Sequence, residues 1–99
     1  MSDLGSLRQR IDGIDQRLVA LLGERMRVCE AVARHKAAAR IPVVQPERAA
    51  GVLERCAEMG AANGLRPAFV RRLYELVIAE ACEREHDILD DLGAADTVR

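Results

Sequence analysis

A single amphipathic stretch, from Leu7 to about Arg40, constrains the fold more than any other feature. Its apolar residues recur every three or four positions, at Leu7, Ile11, Ile14, Leu18, Leu21, Val28 and Val32. That spacing predicts one continuous α-helix, and about 34 residues at ~1.5 Å each make a rod of ~50 Å. Because a compact domain of about 100 residues has a radius of gyration near 13 Å, the rod should project from its own domain. A second copy of the chain is the simplest partner to cover it.

Capping residues and prolines predict where this first helix begins and ends. Ser6 followed by Gln9 has the form of a capping box, which would open the helix after a frayed segment at residues 1–5. Two prolines in the segment 41–46 break the helical periodicity and should end the helix near Arg40. The same segment is short and apolar, so we expect it to pack against the helices.

Two further helices follow. The second is expected to start with Pro46 in its first turn and to stop around residues 63–64, where Asn-Gly is a helix-ending signal. The third should start at Pro67 and carry apolar residues at helical spacing. No strand pattern is present. The prediction is an all-α domain of three helices over residues 1–92, with a disordered tail at 93–99.

Composition restricts the classes of partner. The formal net charge is −1 with 31% charged residues, so no overall basic field favours nucleic acid or an acidic membrane. Cys29, Cys56 and Cys82 lack CxxC or Cys/His spacing and recur at apolar helical positions, which indicates reduced, buried thiols. No signal peptide or 18-residue apolar run is found. We therefore expect a soluble cytoplasmic protein.

Several charges occupy positions where an amphipathic helix should be apolar. Arg25 interrupts the stripe of the first helix, and Lys36 follows eleven residues later at nearly the same azimuth. Arg48 borders the buried face of the second helix, and Glu85 interrupts that of the third. A charge buried without a partner is costly. Cations and one acid directed into a helical interior suggest a compact dianionic ligand.

Each of these charges also has a purely structural interpretation. Arg25 would pair with a Glu across a dimer seam, Lys36 would extend its ammonium to solvent, and Glu85 would face Arg84 or solvent. Arg48 would contact nearby acids on its own helix. Under this interpretation the chain is a non-catalytic helical dimerisation module held by interhelical ion pairs.

The pattern of residues from Leu7 to about Leu89 resembles the all-helical class of chorismate mutases. The residues that carry the resemblance are Leu7-Arg8-x-x-Ile11-Asp12-x-Ile14-Asp15, Leu21-Leu22-x-Glu24-Arg25, Lys36, Pro42-Val43, Glu47-Arg48 and Leu53-Glu54-Arg55. The resemblance implies an intertwined three-helix homodimer and a [3,3]-sigmatropic rearrangement. It also implies that neither a cofactor nor a metal is needed.

The resemblance further implies roles for individual residues. Arg8 would reach across from the other protomer, and together with Arg25, Lys36 and Arg48 would hold the two substrate carboxylates. Lys36 and Glu85 would hydrogen-bond the ether oxygen, for which Glu85 must be protonated. The remaining substrate-binding positions implied by the family are Gln45, Ala49 and Ala81.

The subsite for the substituent at C4 departs from the common family pattern. Bacterial chorismate mutases typically carry an acid where this chain has Gln45 and a glutamate where it has Ala49. The segment Pro42-Val43-Val44-Gln45-Pro46-x-Arg48, with Glu80-x-Cys82-x-x-Glu85, resembles the 4-amino-4-deoxychorismate mutases of antibiotic biosynthesis. Plain chorismate mutase is the second expectation. Isochorismate-pyruvate lyase is the third, supported by the segments 46–48 and 63–65.

Overall fold

The computed structural model describes residues 3–97, and the side chains of residues 3–93. It contains three α-helices: α1 (Leu4–Ala39), α2 (Pro46–Ala62) and α3 (Pro67–Thr97). No strand occurs in this described part of the chain, so the predicted all-α class with a long N-terminal helix is confirmed. Nor, over the same residues, does any helix have the length and apolarity to cross a membrane.

Asp3, rather than Ser6, caps the start of α1. Its Oδ1 accepts a hydrogen bond from the Ser6 backbone N–H at 2.7 Å, and its carbonyl accepts one from Leu7 N–H at 3.0 Å. The predicted capping box at Ser6 and Gln9 is therefore wrong, because a carboxylate three residues earlier satisfies the exposed N–H groups. Of the segment expected to fray, residues 4 and 5 are helical. Residues 1 and 2 lie outside the described part.

At the other end of α1, a left-handed residue turns the chain. Arg40 has φ 57° and ψ 40°, and its N–H donates to the Ala37 carbonyl at 3.3 Å while Ile41 N–H donates to the Lys36 carbonyl at 2.8 Å. This is a Schellman arrangement with arginine where glycine is usual. The helix ends within one residue of its predicted position. We expected the segment 41–46 to pack against the helices, and within it Val43 is buried.

The turn between α2 and α3 confirms the Asn-Gly signal. Gly64 has φ 78°, its N–H donates to the Ala61 carbonyl at 3.1 Å, and Leu65 N–H donates to the Gly60 carbonyl at 2.8 Å. Both bonds of a Schellman motif are thus present. At Gly60 the two helices approach so closely that an added Cβ would lie 2.5 Å from Val70 Cγ2.

Helix α3 packs along both other helices and carries the core. One buried cluster joins Met26 of α1 to Val77 and Ala81 of α3, and another joins Val52 and Cys56 of α2 to Val70 of α3. The predicted apolar stripe of α1 lies outside this core. Its members Leu7, Ile11, Ile14, Leu18 and Leu21 are 41–60% exposed.

The single chain is extended. Its principal dimensions are 65 × 27 × 16 Å and its radius of gyration is 17.7 Å, against about 13 Å for a compact chain of this length. The rod predicted from the sequence therefore does project beyond the core.

Helix α3 continues past the start of the tail expected at residues 93–99. The backbone continues as helix through Thr97, since no proline or capping residue follows Gly93 and alanine is a strong helix former. Residues 98 and 99 lie outside the described part.

Candidate active site

One cavity of ≈ 250 Å³ lies between α1, α3, the segment 40–45 and the start of α2. All but one of the residues proposed from the sequence line it: Arg25, Lys36, Gln45, Arg48, Ala49, Ala81 and Glu85. The exception is Arg8, which is exposed on α1. Seventeen residues separate Arg8 from Arg25, about 26 Å along a helix, so Arg8 cannot reach the cavity of its own chain.

Lys36 and Glu85 form the ion pair at the bottom of the cavity. Lys36 Nζ donates to Glu85 Oε1 at 3.1 Å and to the Val43 carbonyl at 3.0 Å. The two side chains are only 14% and 7% exposed. The burial of Glu85 excludes the alternative in which it faces solvent or Arg84, whose guanidinium instead bonds Glu80 and Glu30. Glu85 Oε2 receives no hydrogen bond from the described residues.

Arg25 is held by an aromatic ring and a thiol rather than by a carboxylate. Its Cζ lies 5.8 Å from the centroid of the Tyr74 ring, within cation–π range, and its Nη1 lies 3.7 Å from Cys29 Sγ. Burial and the neighbouring Cys56 raise the pKa of Tyr74, while the Arg25 charge opposes the shift. Sequence reasoning missed Tyr74 because one aromatic residue in an apolar stripe has no distinctive signal.

The charge of the cavity suits an anion. Arg48 is exposed at the rim and has no ion pair within the described part of the chain, and Arg25 has none either. Glu85 is the one carboxylate among the described lining residues, and Lys36 already neutralises it. Two guanidinium groups therefore remain available to a ligand, and arginine binds carboxylates in bidentate geometry.

The thiols depart in part from the expectation of burial. Cys56 is buried, whereas Cys29 and Cys82 are half-buried and line the cavity; all three are free. Burial raises the pKa of the Cys82 thiol, the nearby Glu85 adds to the rise, and Lys36 opposes it. Cys82 is therefore a neutral, weakly polar part of the wall at neutral pH.

The other lining residues that sequence reasoning missed are apolar: Val32, Val43, Val44, Val52 and Ile78. In sequence they are ordinary helix or loop residues, so only their position in space shows that they belong to this wall. Of these, Val43 and Val52 are buried and exclude water beside the charged groups, which strengthens electrostatic contacts with a ligand.

The part of the chain that forms this cavity is similar in sequence to known proteins. Residues 7–86 match the family described as chorismate mutase type II. A 4-amino-4-deoxychorismate mutase of Streptomyces pristinaespiralis is 34% identical over 91 residues, which cover 92% of this chain and 70% of that protein. The bifunctional chorismate mutase/prephenate dehydratase of Escherichia coli K12 is 31% identical over 84 residues, 85% of this chain but 22% of that protein.

A third relative has another activity in its name. The isochorismate pyruvate lyase of Pseudomonas aeruginosa is 41% identical over 76 residues, which cover 76% of this chain and 73% of that protein. The family match runs through all three helices and takes in every residue that lines the cavity. The chain is therefore an isomerase that belongs to the chorismate mutase type II family.

Proposed function

We propose that this enzyme converts 4-amino-4-deoxychorismate to 4-amino-4-deoxyprephenate. The observation that carries the proposal is the cavity itself: Arg25, Arg48 and the Lys36–Glu85 pair converge in it, whereas Gln45 and Ala49 at its rim carry no charge. The uncharged residues Gln45 and Ala49 distinguish this chain from mutases that carry acidic groups at the C4 subsite. The relative from Streptomyces pristinaespiralis supports the same substrate.

The reaction needs positioning and electrostatics rather than a nucleophile. In a [3,3]-sigmatropic rearrangement the C–O bond of the ether breaks while a C–C bond forms within one molecule. Arg25 and Arg48 bind the substrate carboxylates and hold the folded conformer, which removes much of the entropic barrier. Lys36 and protonated Glu85 donate to the ether oxygen, on which negative charge grows in the transition state.

The C4 subsite accounts for the preference for an amine. Position 49 is half-buried and holds alanine, where bacterial chorismate mutases typically have a glutamate, so this chain has no carboxylate there. Gln45 offers an amide oxygen that accepts a hydrogen bond from an N–H. The Ala81 methyl, which is buried in the wall, limits the size of the bound ring.

The active assembly in this proposal is a homodimer. Ten large apolar residues of α1 are exposed on the single chain, five of them in the stripe from Leu7 to Leu21, and an exposed apolar stripe of this kind is typical of an interface. An antiparallel second copy covers that face and carries its own Arg8 toward this cavity, where it adds a third guanidinium. We place the enzyme in the cytoplasm, in the biosynthesis of an antibiotic precursor of the 4-aminophenylalanine type.

Two other activities of the family remain as alternatives, each with a specific observation in its favour. Plain chorismate mutase is favoured by the family match over residues 7–86. Isochorismate-pyruvate lyase is favoured by the 41% identity to the Pseudomonas aeruginosa enzyme. The non-catalytic dimerisation module is disfavoured, because residues 7–86 match a family of chorismate mutases.

The test compares kcat/KM for 4-amino-4-deoxychorismate, chorismate and isochorismate on one purified sample, with products identified by mass spectrometry. We expect the amino substrate to be preferred by about a hundredfold, ~3 kcal/mol in transition-state binding. A preference for chorismate or isochorismate would replace the proposal with the corresponding alternative. No turnover of any of the three would favour the dimerisation module.

A further inference from the structure

The segment that follows α1 contacts Lys36 both at its backbone and at the tip of its side chain. The Lys36 carbonyl accepts the Ile41 N–H at 2.8 Å, and the Lys36 ammonium donates to the Val43 carbonyl at 3.0 Å. The two bonds therefore tie the backbone and the tip of one side chain to the same short loop.

Val43 anchors this loop. Val43 is 7% exposed, whereas Ile41 and Val44 in the same segment are 37% and 54% exposed. Arg40, in its left-handed conformation, turns the chain so that the next residues pass back over Lys36. Because Val43 is the buried member of this segment, its packing decides where its own carbonyl lies.

We propose that Val43 is a positioning residue: its buried side chain fixes the carbonyl that aims the Lys36 ammonium at the ether oxygen. This inference rests on the proposed reaction for its catalytic consequence. A lysine ammonium sits on a flexible four-carbon stem with three rotatable donors. A single contact with Glu85 leaves it free to swing, whereas two contacts from different elements fix its position.

The second contact becomes more important once substrate is bound. In the proposed reaction Glu85 also interacts with the ether oxygen, which weakens its hold on Lys36. The Val43 carbonyl does not take part in the reaction, so it remains a fixed acceptor throughout. One ammonium proton stays on this carbonyl while another is directed to the substrate.

The catalytic arm of the test measures kcat and KM separately for Val43→Ala, with Val43→Ile as the conservative variant. Val70→Ala is the matched control, because Val70 is also buried, at 4%, and packs against α2 without itself lining the cavity. We expect Val43→Ala to lower kcat on the order of tenfold or more with little change in KM. Val43→Ile should restore most of kcat, and Val70→Ala should lower Tm with kcat nearly unchanged.

A second arm uses no substrate and so separates this inference from the proposed reaction. Tm is measured at one protein concentration for Val43→Ala and Val70→Ala, each alone and combined with Lys36→Met. If Val43 holds Lys36, the Tm loss from Val43→Ala shrinks in the Lys36→Met background, while that from Val70→Ala is the same in both.

Two results would overturn the inference: additive Tm losses for Val43→Ala and Lys36→Met, or a Val43→Ala variant that changes Tm or KM but not kcat. If the wild-type enzyme turns over none of the three substrates, the proposed reaction fails and the Tm cycle alone decides the role of Val43.

Discussion

Lys36 Nζ lies 3.1 Å from Glu85 Oε1, although 49 residues separate the two in sequence. The pair joins α1 to α3 at the bottom of a cavity that also contains two arginines without carboxylate partners among the described residues. Lys36 contacts only one oxygen of Glu85 and uses the Val43 carbonyl as its second acceptor.

The hydrogen-bond donor at position 85 should control the rate. A carboxyl donates a hydrogen bond to the ether oxygen only when it is protonated, whereas an amide always can. Glu85→Gln therefore replaces the acid with a permanent donor of similar size. We expect this variant to keep kcat within about tenfold of the wild type, whereas Glu85→Leu, which has no donor, should lower kcat on the order of a hundredfold.

Glu80→Gln is the matched control for this experiment, because Glu80 lies on the same helix and pairs with exposed Arg84. Its kcat should equal that of the wild type. A Glu85→Leu variant as active as Glu85→Gln would exclude a donor role for residue 85.

Arg25→Ala should separate a ligand-binding cation from a structural ion pair. The Arg25 guanidinium contacts Tyr74 and Cys29 rather than an acid, so its loss leaves no buried carboxylate unpaired. We expect kcat/KM to fall on the order of a hundredfold or more while Tm changes little.

The control for Arg25→Ala is Arg71→Ala, which removes a solvent-exposed bidentate pair with Glu54. That variant should retain kcat/KM, since neither residue lines the cavity and exposed pairs stabilise little. A large Tm loss in Arg25→Ala with activity retained would instead support the dimerisation module.

Complementation between two inactive variants tests whether Arg8 acts in trans. In the proposed homodimer, Arg8→Ala and Arg25→Ala each disable both sites. A mixed dimer contains one site in which both arginines are intact. After unfolding and refolding an equimolar mixture, random pairing should restore about a quarter of wild-type activity. Refolded single variants serve as controls, and a mixture no more active than these would argue against a shared site.

The contact between Gly60 and Val70 predicts opposite effects for two alanine substitutions in α2. A Cβ at Gly60 would lie 2.5 Å from Val70 Cγ2, whereas a Cβ at Gly51 meets nothing within 4 Å. Gly60→Ala should lower the free energy of unfolding by about 1–3 kcal/mol through overpacking. Gly51→Ala should raise it by about 0.5–1 kcal/mol, because alanine loses less backbone entropy.

Denaturant unfolding monitored by circular dichroism measures both changes. Equal stabilisation by the two substitutions would mean that α2 and α3 move apart at no cost, and that the close approach at Gly60 does not contribute to the core.

Much of the fold could be read from the local sequence because helix periodicity and capping are short-range effects. The prolines at 46 and 67 and the Asn-Gly pair at 63–64 bounded α2 and α3 correctly. The start of α1 was misplaced because Asp3 and Ser6 are both good caps, and sequence alone did not show which one the backbone uses. The end of α3 was placed too early, since Gly93 does not by itself stop a helix.

The sequence by itself determined that three helices form and that cations and one acid interrupt their apolar faces. Those features depend on residues within one or two turns of each other. Only the tertiary structure decided that Lys36 pairs with Glu85, that the Val43 carbonyl is its second acceptor and that Tyr74 lies beside Arg25. These contacts depend on how α1, α3 and the loop pack, and packing between distant segments leaves no periodic signal in the sequence.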